Sequence, residues 1–153
     1  MTRADLPMVR RWLDAPAARR WWGEPELEAG LLDEDLDEPA MAMLIVAHDG
    51  TPFAFAQHYG VHTWPVPQFA HLPRGSRAID TFIGDPAMIG IGHGSTYVRL
   101  LAEYLIGRGV PTIAIDPAIA NYRARRAYAR AGFVARRAAN RVKRPATVMI
   151  FSP

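Results

Sequence analysis

Gly90-Ile91-Gly92-His93-Gly94-Ser95 sets three glycines at alternate positions between a strand signal and a helix signal. Upstream, residues 79 to 84 read as a strand that carries Asp80. Downstream, Thr96 to Ile106 places Val98, Leu101 and Leu105 on one helical face. The glycines therefore fall at a helix N-terminus, where bare N–H groups and the helix dipole favour an anion by about 0.3–1 kcal/mol. A phosphate-bearing ligand is the expectation, and a glycine turn without a ligand is the alternative. The stretch fits neither of two familiar phosphate loops. A dinucleotide fingerprint needs glycine where Ser95 stands, and a triphosphatase loop needs lysine there.

The chain has 153 residues, half of them apolar, which is enough for one domain spanning 1–153 with a single core. No run reaches membrane-spanning length and no signal-peptide pattern opens the sequence, so a cytoplasmic protein that does not engage a membrane is expected. Without cysteine there is neither a disulfide nor a thiolate metal site. His48, His58, His62, His71 and His93 lack metal-ligand spacing, so no metal is expected.

A net charge of +3 conceals segregation. No lysine or arginine lies between Arg20 and Arg74, while Glu24, Glu26, Glu28, Asp33, Glu34, Asp35, Asp37, Glu38 and Asp49 are acidic. After Asp116 the sign reverses, from Arg123 through Arg144, without a single acid. Such a chain is suited to a cation on one side and phosphates on the other, or it simply carries two solvated faces.

The remaining elements follow from punctuation. Asp5 and Pro7 start a helix with Leu6, Val9, Trp12 and Leu13 on its inner side, and Pro16 starts a short one ending at Trp21-Trp22-Gly23. An acidic helix runs from about Glu26 to Asp37. Met41 to Ala47 reads as a buried strand, turned by Asp49-Gly50 into a returning strand through Phe53, Phe55, Gln57 and Tyr59. A long irregular segment crosses residues 60 to 77. Beyond the glycine loop and its helix come a short strand at Thr112 to Asp116, a helix capped by Asn121, and strands at Phe133 to Ala139 and Ala146 to Phe151.

The order acidic strand, glycine loop, helix, strand, then Asn121-x-x-Ala124-x-x-x-Tyr128-x-x-x-Gly132-Phe133 resembles the GNAT superfamily of acetyl-CoA-dependent N-acetyltransferases. Within it, Trp21-Trp22-Gly23, Ile79-Asp80, Asp116-Pro117 and Arg126-Ala127-Tyr128 resemble the aminoglycoside 6'-N-acetyltransferase branch. The resemblance implies an α/β (α+β) fold whose central mixed, largely antiparallel sheet is flanked by helices. It implies acetyl transfer from acetyl-CoA to a primary amine of a cationic small molecule.

By the same resemblance, Gly90, Ile91, Gly92, His93, Gly94 and Ser95 hold pyrophosphate, and backbone N–H groups of Thr81, Phe82 and Ile83 meet the thioester carbonyl. Asn121 and Arg126 belong to the cofactor side. Asp80 holds the ammonium and accepts its proton, Asp116 is a second cation contact, and Trp21 and Trp22 wall the substrate. Tyr128 protonates the departing thiolate. Each has a plainer reading: strand carboxylate, turn cap, or core aromatic.

Two departures stand out. The family's first strand is missing, which exposes a sheet edge and leads one to expect a homodimer or a rearranged N-terminus. The C-terminal hairpin carries Arg136, Arg137, Arg141, Lys143 and Arg144, which would repel a polycationic drug if they lined its pocket. Other acceptors are a polyamine, a hydroxylysine of siderophore synthesis or a peptide amine. A non-catalytic acyl-CoA-binding module is the alternative outside enzymes. Nucleic acid is disfavoured, because the basic tail lacks interleaved aromatics or a motif.

Overall fold

The computed structural model describes residues 1–139 and 145–152, with side chains described up to 136 and again from 145. Arg141, Lys143 and Arg144 of the basic hairpin lie outside the described residues. The helices are α1 (Leu6–Leu13), α2 (Pro16–Arg19), α3 (Pro25–Asp35), α4 (His93–Gly107) and α5 (Tyr122–Arg130). The strands are β1 (Met41–His48), β2 (Thr51–Gly60), β3 (Arg77–Ile83), β4 (Ile113–Ile115), β5 (Phe133–Ala139) and β6 (Ala146–Phe151). They hydrogen-bond in the order β1-β2-β3-β4-β6-β5. The sheet is mixed: β3 and β4 are parallel, whereas β4–β6 and β5–β6 are antiparallel.

The chain divides into two compact units, one of residues 1–58 and 80–91, the other of residues 59–79 and 92–153. In the first, proline sets the helix starts: Pro7, Pro16 and Pro25 lie in first turns, where the missing N–H is no loss. Asp49 and Gly50, at φ 50° and 77°, make the tight turn from β1 to β2. Val9, Leu13, Ala18, Leu32, Met43, Phe55 and Phe82 form this unit's buried cluster.

The run from Met41 is half-buried, with Met43 its one fully buried member, so the buried strand read from the sequence is corrected. The reason is position, since among the described residues β1 ends the strand order and pairs only with β2. The Met1 ammonium donates to the Met43 carbonyl at 3.0 Å. By contrast, β2 is buried from Phe53 through Gln57, on both faces, as an interior strand should be.

In the second unit, β3 starts at Arg77, two residues before the strand signal, because Arg77 and Ala78 pair with Ile113 and Ala114 of β4. One core joins Ile79, Val98, Ala102, Leu105, Ile113, Ile115, Ala131, Phe133, Met149 and Phe151. Another joins Val61, Phe69, Leu72, Ala78, Ala114 and Val148, and it fixes the irregular segment before β3. Gly132 turns α5 into β5 at φ 98°, and a Cβ there would meet the Phe151 ring at 3.1 Å. No helix among the described residues is long and apolar enough to cross a membrane.

Candidate active site

In the first unit, Asp80 sits half-buried on β3. Gln57 of β2, only 7% exposed, donates its Nε2 to Asp80 Oδ2 at 3.2 Å. An ionised carboxylate only accepts, so this contact sets the amide: Nε2 faces Asp80 and Oε1 faces away. Next along β3, the Thr81 hydroxyl donates to the Phe55 carbonyl at 2.5 Å. Phe82 points its ring into the core, 5.5 Å from Phe55 and 4.9 Å from Trp22 between centroids. Trp22 stands edge-on to both phenylalanines. Trp21 is held separately, with the Arg20 guanidinium 5.0 Å over its ring. The structure thus brings Trp22, Phe82 and the strand of Asp80 together and gives Trp21 another partner.

Arginines engage part of the acidic stretch in and around α3. Arg3 pairs with Asp33 at 2.9 Å and Asp37 at 2.6 Å, Arg19 pairs with Glu24 at 2.9 Å, and Arg10 pairs with Glu26. The Arg3 hydrogen bond and charge hold the Asp37 carboxyl below the usual carboxylate range. Asp35 goes the other way, raised by burial and by its neighbours Glu34 and Glu38.

The glycine loop has the backbone its sequence calls for. Gly90 and Gly92 have φ of 90° and 105°, values that L side chains rarely adopt. A Cβ at either would meet nothing within 4 Å, so conformation rather than packing requires glycine, and the space beside both is open. Gly92 is the N-cap of α4 and supplies no side-chain cap. Its carbonyl accepts from the Ser95 hydroxyl at 2.8 Å, which turns that side chain back onto the helix. An uncapped first turn beside open space fits an anion such as the pyrophosphate of CoA.

The second unit holds the other expected residues. Asn121 Oδ1 accepts from the Ala124 N–H at 3.1 Å, capping α5. Tyr128 is half-buried, its ring centroid 6.3 Å from that of Phe133. Arg126 lies elsewhere on the helix: with Tyr122, Arg125, Ala129, Phe133 and Val134 it lines an open groove of about 730 Å³. At 100° per residue, Arg126 stands on the side of α5 opposite Ala124 and Tyr128. Asp116 follows β4, and Gln68 donates Nε2 to its Oδ2 at 2.9 Å. Gln57 and Gln68 are the residues the sequence reading missed. An amide within an apolar strand run marks Gln57, whereas nothing local marks Gln68.

Comparison with known proteins identifies the family. Residues 2–141 match the acetyltransferase (GNAT) domain, and the chain belongs to the GNAT acetyltransferase family. It is 32% identical over 146 residues to aminoglycoside N(6')-acetyltransferase type 1 of Klebsiella pneumoniae, covering 87% of this chain and 71% of that protein. A structure of AAC(6')-Ib in complex with paromomycin and acetyl-CoA superposes with a TM-score of 0.86 at 28% identity, over 99% of this chain and 90% of that one. AAC(6')-Ib in complex with coenzyme A and kanamycin gives 0.84 at 28% identity, over 98% and 90%.

Proposed function

We propose that this protein transfers the acetyl group of acetyl-CoA to a primary amine of a polycationic small molecule, an aminoglycoside at its 6'-amino group. The observation that carries the reading is Asp80. A strand carboxylate oriented by a buried amide stands in a GNAT chain that matches 6'-N-acetyltransferases over most of its length.

Acetyl-CoA supplies an activated acyl group whose thiolate can leave. The chain's residues do the rest. N–H groups at the start of α4 bind the pyrophosphate, with Gly90 and Gly92 leaving the approach open. An alkylammonium has no lone pair, so Asp80 binds the cation and takes its proton, directly or through a water. The freed amine nitrogen bonds the acetyl carbon while backbone N–H groups among residues 81–83 donate to the developing oxyanion. As the carbon–sulfur bond breaks, the Tyr128 phenol protonates the sulfur, the nitrogen releases its extra proton to solvent to become the amide, and the phenolate regains a proton from solvent. Asp116 holds a further positive group of the acceptor.

Acetyl-CoA-dependent thiol release, run over aminoglycosides, polyamines and lysine derivatives, tests the proposal. Turnover of kanamycin above the other amines supports it. Turnover only of a polyamine or a lysine derivative replaces the acceptor, and no turnover with any amine favours a non-catalytic acyl-CoA-binding protein.

A further inference from the structure

Gln68 lies in the irregular segment between β2 and β3, and its neighbour Phe69 is 1% exposed among Val61, Leu72, Ala78, Ala114 and Val148. Backbone bonds hold the segment on both sides of it: Phe69 N–H to the Val66 carbonyl at 3.0 Å, and Leu72 N–H to the Phe69 carbonyl at 2.9 Å. From this fixed backbone, Gln68 Nε2 reaches Asp116 Oδ2 at 2.9 Å. The carboxylate dictates the amide's orientation, so Oε1 is turned away from it. That Oε1 is buried and accepts no hydrogen bond from the protein. Buried acceptors are nearly always satisfied, and an orphan held in place by its own side chain calls for a reason.

The arrangement recurs. Gln57 donates Nε2 to Asp80 Oδ2 at 3.2 Å, and its Oε1 is likewise buried without a partner. Two carboxylates expected to meet a cationic acceptor are each gripped by a glutamine amide whose carbonyl lacks a donor. In both, the glutamine donates to one carboxylate oxygen while its own carbonyl oxygen has no protein donor.

We propose that Gln68 determines acceptor specificity: with Asp116 it forms a carboxylate–carboxamide pair that receives a second N–H- or O–H-bearing group of a polyamino, polyhydroxylated acceptor. The inference rests on the proposed function and names the group that reads the acceptor at Asp116. A bare carboxylate attracts any cation. The pair is more selective, because Gln68 Oε1 is satisfied only by a ligand that donates a hydrogen there. An acceptor without such a donor leaves the oxygen orphaned and loses about threefold to tenfold in binding, the worth of one hydrogen bond.

The test compares wild type with Gln68→Met and Gln68→Leu, reading KM and kcat for kanamycin, acetyl-CoA affinity, and unfolding temperature with and without kanamycin. Gln68→Met is expected to raise KM for kanamycin about threefold to tenfold, with kcat and acetyl-CoA affinity unchanged. Its ligand-free unfolding temperature should be equal or higher, because an unsatisfied buried acceptor has gone, while the kanamycin-induced rise shrinks. Gln68→Leu likewise removes the carbonyl and should raise KM to the same extent. An unchanged KM in Gln68→Met, or a lower unfolding temperature without a KM change, overturns the proposal in favour of a structural role. If Gln68→Met fails to fold, Gln68→Leu decides, and an unchanged KM there overturns the proposal. Wild type that turns over no aminoglycoside refutes the functional reading and this inference together, and that result is read before any variant.

Discussion

Gln57 Nε2 and Asp80 Oδ2 stand 3.2 Å apart, joining a buried amide on β2 to the half-buried carboxylate of β3. The bond limits the rotation of Asp80. Asp80→Asn keeps the shape, since an amide can still accept from Gln57 through its own oxygen. It removes the base. The expected result is a fall in kcat/KM for the amine of roughly a hundredfold to ten-thousandfold, with calorimetric acetyl-CoA affinity unchanged. Equal activity would remove Asp80 from the chemistry.

Tyr128 packs its ring against the Phe133 cluster, and its hydroxyl is the group assigned to the sulfur. Tyr128→Phe retains the packing. It should lower single-turnover acetyl transfer by about tenfold to a hundredfold and leave the unfolding temperature nearly unchanged. A change in stability alone would make Tyr128 a core aromatic.

Gly92 takes φ 105° at the cap of α4, beside open space. Gly92→Ala introduces backbone strain of roughly 1–3 kcal/mol without a clash. Either the loop keeps its form and stability drops by that amount, or it relaxes and acetyl-CoA binding weakens. Urea unfolding together with calorimetry would register one or the other, and neither change would contradict the loop's assigned role.

Gly84 answers to packing instead. A Cβ there would lie 2.0 Å from Trp12 Cδ2. Gly84→Ala must displace the indole from the core that includes Val9 and Leu13, at a cost of about 1–3 kcal/mol. Trp12→Leu in the same chain should recover part of that loss, as read from denaturant midpoints.

Acid pH separates two carboxylates of the N-terminal unit. Asp37 is lowered from its ordinary 3.8 by the Arg3 hydrogen bond and charge. The stability it lends is therefore present above the unfolded-state pKa and is lost as pH falls through the folded one. Asp35 is raised from 3.8 by burial and by Glu34 and Glu38, so its ionisation opposes folding and stability is regained as pH falls. Asp35→Asn should raise the unfolding temperature slightly at neutral pH and make no difference below about pH 3. Both groups are largely solvated, so added salt should shrink the effects.

Local chemistry made most of the fold legible. Pro7, Pro16, the Asp49-Gly50 turn and Gly132 punctuate the chain, and β5 and β6 have the limits expected from the sequence. What depends on distant neighbours was hidden. The half-burial of β1 and the start of β3 at Arg77 follow from strand partners that no local pattern names. The two glutamines reach carboxylates 23 and 48 positions away, so their role emerges only in three dimensions. The acidic stretch from Glu24 to Glu38 looked like a cation-binding surface, yet Arg3, Arg10 and Arg19 pair with Glu24, Glu26, Asp33 and Asp37 within it. The side of α5 that Arg126 takes was legible in the helical period, which separates it from Tyr128.

The most direct test of the account is NMR of the product formed from kanamycin and acetyl-CoA by the wild-type protein. The account predicts a single acetyl group, in amide linkage at the 6'-amino nitrogen. Acetylation at another amine, or no product while a different class of amine is turned over, would contradict it.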